Sequence, residues 1–176
     1  WMGIGGPARY FLEPRTAEEL REVARRCREE NVPMYVLGGG ANLLVDDAGV
    51  DGAVIRLRQG EFVEVGFDGT TLMAGAGADM GRLVLRTVRE GLSGLEGLTG
   101  VPGTVGGCVR MNAGGAFGDI GSAIERVHVM TEDGEVFTRH REDLAFAYRS
   151  TNITAKFILG AEFALAEDDP HRVLKQ

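Results

Sequence analysis

The sequence predicts an α+β fold, and three observations support this prediction. A strand–helix–strand pattern opens the chain, and two later pairs of apolar segments each flank an Asp-Gly turn that is typical of β-hairpins. A hydrophobic share of 44% with 26% charged residues is that of a folded domain rather than a disordered chain. At 176 residues, the chain is long enough for one domain or for two small lobes that share a core.

Residues 1–58 are predicted to form the first lobe, with strands at 8–13, 34–37 and 53–57. Thr16 and Glu19 have the spacing of a capping box, so we expect a helix from there to about Glu30. Its apolar residues recur at i, i+3, i+4 and i+7, which predicts a buried stripe of Leu20, Val23, Ala24 and Cys27.

Residues 59–176 are predicted to form the second lobe. Its expected elements are a hairpin of 62–67 and 70–74, a helix over 80–90, a hairpin of 124–130 and 136–139, a helical turn at 141–144 and a strand at 157–165. Between residues 91 and 121 the periodic pattern lapses, and the segment is apolar and rich in glycine. A solvated spacer would carry Ser, Lys and Glu instead, so we expect a long binding loop.

Two glycine-rich segments are candidate ligand-binding loops. Gly38-Gly39-Gly40 follows a strand, and without Cβ atoms its consecutive amides can approach one anion such as a phosphate or pyrophosphate. A tight turn without a ligand is equally compatible, and neither GxGxxG nor the Walker A spacing is present. The second loop, 97–107, bends at Pro102. Two such loops suggest a long ligand such as a dinucleotide, and Asn112 offers a donor and an acceptor to a heterocyclic ring edge.

Composition excludes several classes of function. The formal net charge of −7 argues against nucleic acid and anionic membranes as partners, and no apolar run approaches the roughly 20 residues of a membrane-spanning helix. No metal site is expected, because His128, His140 and His171 are scattered and the two cysteines have no zinc-like spacing. The reduced cytoplasm is the expected compartment. Because Trp1 cannot initiate translation, we expect a partial chain.

Tyr148-Arg149-Ser150 closes an apolar stretch near the end of the chain. The Arg149 guanidinium is expected at the rim of the site that the glycine loops build, where its rigid fork of donors suits a carboxylate or phosphate. A structural ion pair is the alternative for this residue.

Four blocks in order resemble the MurB family of UDP-N-acetylenolpyruvoylglucosamine reductases. They are Gly38-Gly39-Gly40-Ala41-Asn42-Leu43-Leu44-Val45, Gly91-Leu92-Ser93-Gly94-Leu95-Glu96, Val101-Pro102-Gly103-Thr104-Val105-Gly106-Gly107 with Met111-Asn112-Ala113-Gly114, and Tyr148-Arg149-Ser150. The third block also occurs in flavin-dependent 2-hydroxy-acid dehydrogenases of the same fold. The first block and the Tyr-Arg pair favour the reductase.

The resemblance implies a two-lobed FAD-binding fold of the PCMH/vanillyl-alcohol-oxidase type with non-covalent FAD. The first loop would hold the pyrophosphate through Gly38, Gly39, Gly40, Ala41, Asn42, Leu43 and Leu44. The flavin would be lined by Pro102, Gly103, Thr104, Gly106, Gly107, Asn112 and Gly114. Cys108 could in principle link to the flavin, but a packed small side chain is the expected role.

The resemblance also implies an activity in peptidoglycan synthesis. NADPH would reduce the flavin, which would pass a hydride to the enolpyruvyl double bond of a UDP-sugar. Arg149 would hold the substrate carboxylate and stabilise the enolate charge, with Tyr148 at the same site. Family members carry a third, substrate-binding domain that supplies the proton donor, so this chain is expected to be inactive alone. The alternatives are a 2-hydroxy-acid oxidoreductase of the same fold and a non-enzymatic nucleotide-binding module.

Overall fold

A computed structural model describes residues 5–169, so Trp1 and His171 lie outside the described residues. Its helices are α1 (Ala17–Glu29), α2 (Met80–Arg89) and α3 (Val105–Arg110), with 3₁₀ turns at Gly60–Val63, Glu96–Leu98, Ile120–Ser122 and Arg141–Asp143. Its strands are β1 (Ala8–Leu12), β2 (Met34–Leu37), β3 (Val50–Arg56), β4 (Val65–Asp68), β5 (Thr71–Gly75), β6 (Leu92–Ser93), β7 (Gly114–Gly115), β8 (Gly118–Asp119), β9 (Ile124–Met130), β10 (Val136–His140), β11 (Phe146–Ala147), β12 (Ser150–Thr151), β13 (Phe157–Ala164) and β14 (Ala166–Glu167).

The first sheet is parallel, with strand order β1-β3-β2. Helix α1 packs against one face of this sheet and buries it. Thr16 caps α1 as predicted, because its Oγ1 accepts a hydrogen bond from the Glu19 amide at 3.2 Å. The Glu19 carboxylate accepts from the Arg15 amide at 2.7 Å, one residue before the amide that a standard capping box uses. Leu20, Ala24 and Cys27 are buried as predicted.

The second sheet has five antiparallel strands in the order β10-β9-β13-β5-β4. Both predicted hairpins are present in it, including the turn at Asp68-Gly69. One face packs against α2 and α3 in a core that includes Leu72, Met80, Val105, Val109, Val127 and Phe163. Each such fully buried large side chain contributes on the order of 1.5–3 kcal/mol to stability.

Some side chains from the predicted second lobe pack into the core of the first sheet. Phe62, Met130 and Phe157 come from the later part of the chain, yet they pack into the core of the first sheet. The division into lobes 1–58 and 59–176 therefore stays a prediction, since side chains cross between the two cores.

Two predicted elements differ from the structure. The sequence predicts that a strand begins at Phe62, but Phe62 and Val63 lie in a 3₁₀ turn. Gly60 has φ +55° there, and the Phe62 side chain is buried in the core of the first sheet. The expected long loop over 91–121 also contains α3 and several shorter elements.

Helix α3 forms despite two glycines in its first turn. Thr104 caps it, with its Oγ1 accepting from the Gly107 amide at 3.4 Å. Val105, Cys108 and Val109 are buried on one side of it. This burial offsets the low helix propensity of glycine, a tertiary effect that the local sequence does not reveal.

Within residues 5–169, no helix has the length and apolar character needed to span a membrane. In that same part of the chain, no group of three or more His, Cys, Asp or Glu side chains is placed to hold a metal ion.

Candidate functional site

The two glycine loops meet in one cleft with a volume of about 470 Å³. The structure brings most of the predicted site residues to its wall: Gly38, Gly39, Gly40, Ala41, Asn42, Leu43, Pro102, Gly103, Thr104, Gly107, Gly114 and Arg149. Gly106 instead lines a smaller adjoining cavity of about 130 Å³, whose wall shares Gly38, Thr104 and Gly107 with the cleft. Leu44 and Tyr148 are not among the residues that line either cavity, and the two residues are 78% and 90% exposed.

The loops approach each other so closely that side chains would separate them. A Cβ atom on Gly38 would lie 2.9 Å from Thr104 Oγ1, and one on Gly39 would lie 2.9 Å from the Gly103 Cα. Gly103 also has φ +125°, a conformation that residues with a Cβ rarely adopt. The glycines therefore form a cradle of bare backbone, which fits a ligand whose phosphates approach main-chain amides.

The second loop is held by backbone hydrogen bonds to the start of α2. The Met80 amide donates to the Gly103 carbonyl at 3.0 Å, and the Val105 amide donates to the Ala78 carbonyl at 2.9 Å. Thr104 is 2% exposed and pairs with Asp79 in an isolated β-bridge. This wall of the cleft is consequently built before any ligand arrives, which lowers the entropic cost of binding.

Arg149 lies in the turn between β11 and β12 and has φ +57°. Its guanidinium carbon lies 5.6 Å from the centroid of the Tyr148 ring. Across residues 5–169 Arg149 forms no ion pair. A structural ion pair, the alternative role for this residue, therefore has no support in that part of the chain. A cation on the cleft wall without a carboxylate partner can attract an anionic ligand.

The side chain of Asn112 bonds within the protein rather than facing the cleft. Its Nδ2 donates to Asp119 Oδ2 at 3.3 Å and to the Ala147 carbonyl at 3.1 Å, and its Oδ1 accepts from the Gly121 amide at 3.1 Å. The residue is 6% exposed. Both amide hydrogens are used, so the ring-edge contact expected for this side chain is not supported by the structure.

Arg110 is a cleft residue that the sequence did not single out. Its Nη1 donates to the Ile153 carbonyl at 2.5 Å, and its Nη2 donates to the carbonyls of Ala155 and Lys156 at 2.6 and 3.1 Å. Burial lowers the pKa of Arg110 from its ordinary value, although arginine remains protonated in proteins. Because α3 was not predicted, no helical spacing pointed this side chain toward the glycine loops.

Cys108 also lines the cleft, but its thiol is buried. Burial, together with the nearby Asp79 charge, raises the pKa of Cys108 to about 11. The thiolate is the reactive form, so a thiol held protonated is a poor nucleophile toward a cofactor. This agrees with the packed role expected for Cys108.

Comparisons with known proteins identify the cofactor class. The family model described as "FAD binding domain" matches residues 8–139. The UDP-N-acetylenolpyruvoylglucosamine reductase of Rhodopirellula baltica is 37% identical over 176 residues, which is the whole of this chain and 58% of that protein. Its counterpart in Desulfosudis oleivorans is 42% identical over 152 residues, which is 84% of this chain and 49% of the relative. The chain thus spans about half the length of these curated relatives.

Solved structures agree with this assignment. MurB from Thermus caldophilus matches with a TM-score of 0.83 and 40% identity, covering 99% of this chain and 61% of that one. The glucose dehydrogenase Phl p 4.0202 matches at 17% identity with a TM-score of 0.72, covering 96% of this chain and 37% of that one, and it shows the fold alone. The predicted α+β fold class, the FAD cofactor and the resemblance to MurB are confirmed. This chain belongs to the FAD-binding domain family, and within that family it is similar over its length to the FAD-binding portion of the UDP-N-acetylenolpyruvoylglucosamine reductases.

Proposed function

We propose that the chain is the FAD-binding part of an NADPH-dependent reductase acting on UDP-N-acetylglucosamine enolpyruvate. The product would be UDP-N-acetylmuramate, made in the cytoplasm for peptidoglycan synthesis. The observation that carries the proposal is the cleft in which both glycine loops meet beside Arg149, a cation without a carboxylate partner among residues 5–169. Similarity to enzymes of that name over the whole chain supports it.

The backbone of the first loop would hold the cofactor's pyrophosphate. Gly38, Gly39 and Gly40 line the cleft without side chains, and Ala41, Asn42 and Leu43 continue the same wall. Main-chain amides in such a loop favour negative charge. Leu44 lies outside this wall, so we expect a smaller contribution from it.

The second loop would hold the flavin ring. Pro102, Gly103 and Thr104 form this side of the cleft, with Gly107 and Gly114 beside them. FAD, when bound, supplies hydride transfer, and the protein supplies orientation and electrostatics. Because Thr104 also caps α3, the position of this wall depends on a hydrogen bond within the protein.

Arg149 would bind the carboxylate of the enolpyruvyl group and stabilise negative charge that develops on it. A guanidinium suits this role because it stays charged and presents paired donors in a fixed geometry. Tyr148 would approach substrate from the solvent side, where its side chain lies now.

The activity would need more than these residues. The lobes at 1–58 and 59–176 would enclose FAD, and a third, substrate-binding domain would supply the proton donor. The chain covers 58% of the length of the Rhodopirellula baltica relative. The chain alone is expected to bind FAD and to complete no turnover.

A flavin-binding experiment tests the proposal. The purified chain is mixed with FAD, passed through a desalting column, and examined by visible absorption before and after denaturation. We expect a flavin band that leaves with the supernatant when the protein is precipitated. G39A should weaken FAD binding, since its Cβ would lie 2.9 Å from backbone, whereas G66A should bind normally because its nearest neighbour is 3.6 Å away.

Two outcomes would contradict the proposal. Absence of FAD binding at high cofactor concentration would contradict the assignment of the cleft. Steady NADPH oxidation that depends on the enolpyruvyl UDP-sugar, catalysed by this chain alone, would contradict the need for a further domain.

A further inference from the structure

Arg110 carries a positive charge that no carboxylate of the described residues neutralises. Its three hydrogen bonds go to main-chain carbonyls, and burial is the cause of its lowered pKa, with no charged partner involved. By contrast, Arg25 and Arg26 on α1 each form ion pairs with glutamates. A partly buried cation of this kind is costly unless something anionic completes its surroundings.

The location of Arg110 relates it to both glycine loops. Its side chain lines the main cleft and also the smaller adjoining cavity. Gly107, one turn earlier on α3, lies close to Gly38, since a Cβ on Gly38 would be 3.8 Å from the Gly107 Cα. The first loop and the Arg110 guanidinium therefore face the same space.

The carbonyls fix the orientation of the guanidinium without using all its donors. Three of the five N–H groups are engaged, which leaves the Nε hydrogen and one Nη1 hydrogen. A side chain already ordered by three hydrogen bonds loses little entropy when it contacts a ligand. Two donors and a fixed charge match an oxyanion better than an aromatic ring or a sugar hydroxyl.

We propose that Arg110 binds the pyrophosphate of FAD, completing from α3 the anion site that the amides of the first glycine loop begin. This inference rests on the proposed function, because it takes the cleft as the FAD site. It assigns a side-chain charge to a subsite otherwise built from backbone. Helix α3 would then position the Arg110 charge beside the first loop in addition to packing in the core.

A comparison of two flavins separates this role from a structural one. FAD has the pyrophosphate and riboflavin has no phosphate, so the Arg110 charge should strengthen the binding of FAD only. The natural chain, R110M and R110K are titrated with each flavin while the flavin fluorescence is followed, and the melting temperature of each apoprotein is recorded. Methionine preserves an unbranched, buried chain, and lysine preserves the charge but not the fork of donors.

We expect R110M to raise the Kd for FAD by about tenfold to a hundredfold, the range for loss of a charge-assisted contact. The Kd for riboflavin should change less than about twofold, and R110K should fall between the natural chain and R110M for FAD. Added salt should weaken FAD binding less in R110M than in the natural chain, because one phosphate contact is gone.

Three results would overturn the inference. Unchanged FAD affinity in R110M would do so while leaving the proposed function intact. Equal weakening of FAD and riboflavin, with a lowered melting temperature that R110K restores, would show that Arg110 only ties α3 to residues 153–156. Failure of the natural chain to bind FAD would overturn this inference and the proposed function together.

Discussion

The side-chain amide of Asn112 donates a hydrogen bond to the carbonyl oxygen of Ala147, 3.1 Å away. This contact joins Asn112, which lies two positions beyond the end of α3, to the residue that precedes Tyr148 and Arg149. Asn112 and Ala147 are 35 residues apart in sequence, and this one buried side chain fixes the segment after α3 to the strand that leads into the Arg149 turn. The geometry of the cleft therefore depends on a residue whose side chain does not face it.

Substitution of Asn112 should test this link. N112A removes the partner of the Gly121 amide and of the Ala147 carbonyl, so we expect a loss of roughly 1–3 kcal/mol in the free energy of unfolding. Urea denaturation without FAD measures it. N42A is the control, because Asn42 is exposed and its side chain has only a weak contact with the Met111 sulfur. Equal stability of N112A and the natural chain would contradict the proposed link.

Two helix caps allow stability to be separated from FAD binding. T104A and T16A each remove a threonine that accepts a hydrogen bond from the first turn of a helix, so each should cost about 0.5–2 kcal/mol. Only T104A should also weaken FAD binding, since Thr104 lines the cleft. The measurements are urea denaturation and flavin titration. A comparable loss of FAD affinity in T16A would mean that T104A weakens FAD binding through lower stability of the whole fold rather than through the cleft.

Local signals were sufficient for the regular elements of the fold. Thr16 and the apolar stripe of Leu20, Ala24 and Cys27 predicted α1, and Asp68-Gly69 predicted the first hairpin. Each of these signals depends on residues within a few positions of one another, so sequence spacing carries the information. The bare backbone of the two loops was predicted in the same way.

The contacts that assemble the site could not be predicted from spacing. Arg110 bonds carbonyls 43 to 46 residues later in the chain, and nothing near it in sequence indicates them. The amide of Asn112 predicts a contact with a ring edge, but in the structure the same amide is hydrogen-bonded to Asp119, Gly121 and Ala147. The partners of both side chains are set by tertiary structure and leave no signal in the local sequence.

Two glycines in helices should respond to alanine with opposite signs. A Cβ on Gly106 would lie 2.8 Å from the Ala76 Cβ, so G106A should destabilise the chain by roughly 1–3 kcal/mol through overpacking. A Cβ on Gly81 would meet nothing closer than 3.5 Å, so G81A should stabilise α2 by about 0.4–1 kcal/mol. The melting temperatures of G106A and G81A, each compared with that of the natural chain, test these two opposite signs. A gain in G106A would show that the contact between α3 and Ala76 is looser than described.

Stability should fall at alkaline pH because of Cys108. Its pKa in the folded chain is raised to about 11, so folding disfavours the thiolate. The stabilisation is complete below the pKa of the unfolded thiol and is lost as pH rises toward the folded value, up to about 2 kcal/mol between roughly pH 9 and pH 11. The pKa of Cys27 is also raised by burial, so it acts in the same direction. Urea denaturation across this range should give a shallower decline for C108A than for the natural chain, and the shallowest decline for the double variant C27A/C108A. Parallel pH profiles for all three proteins would show that the thiols do not carry the effect.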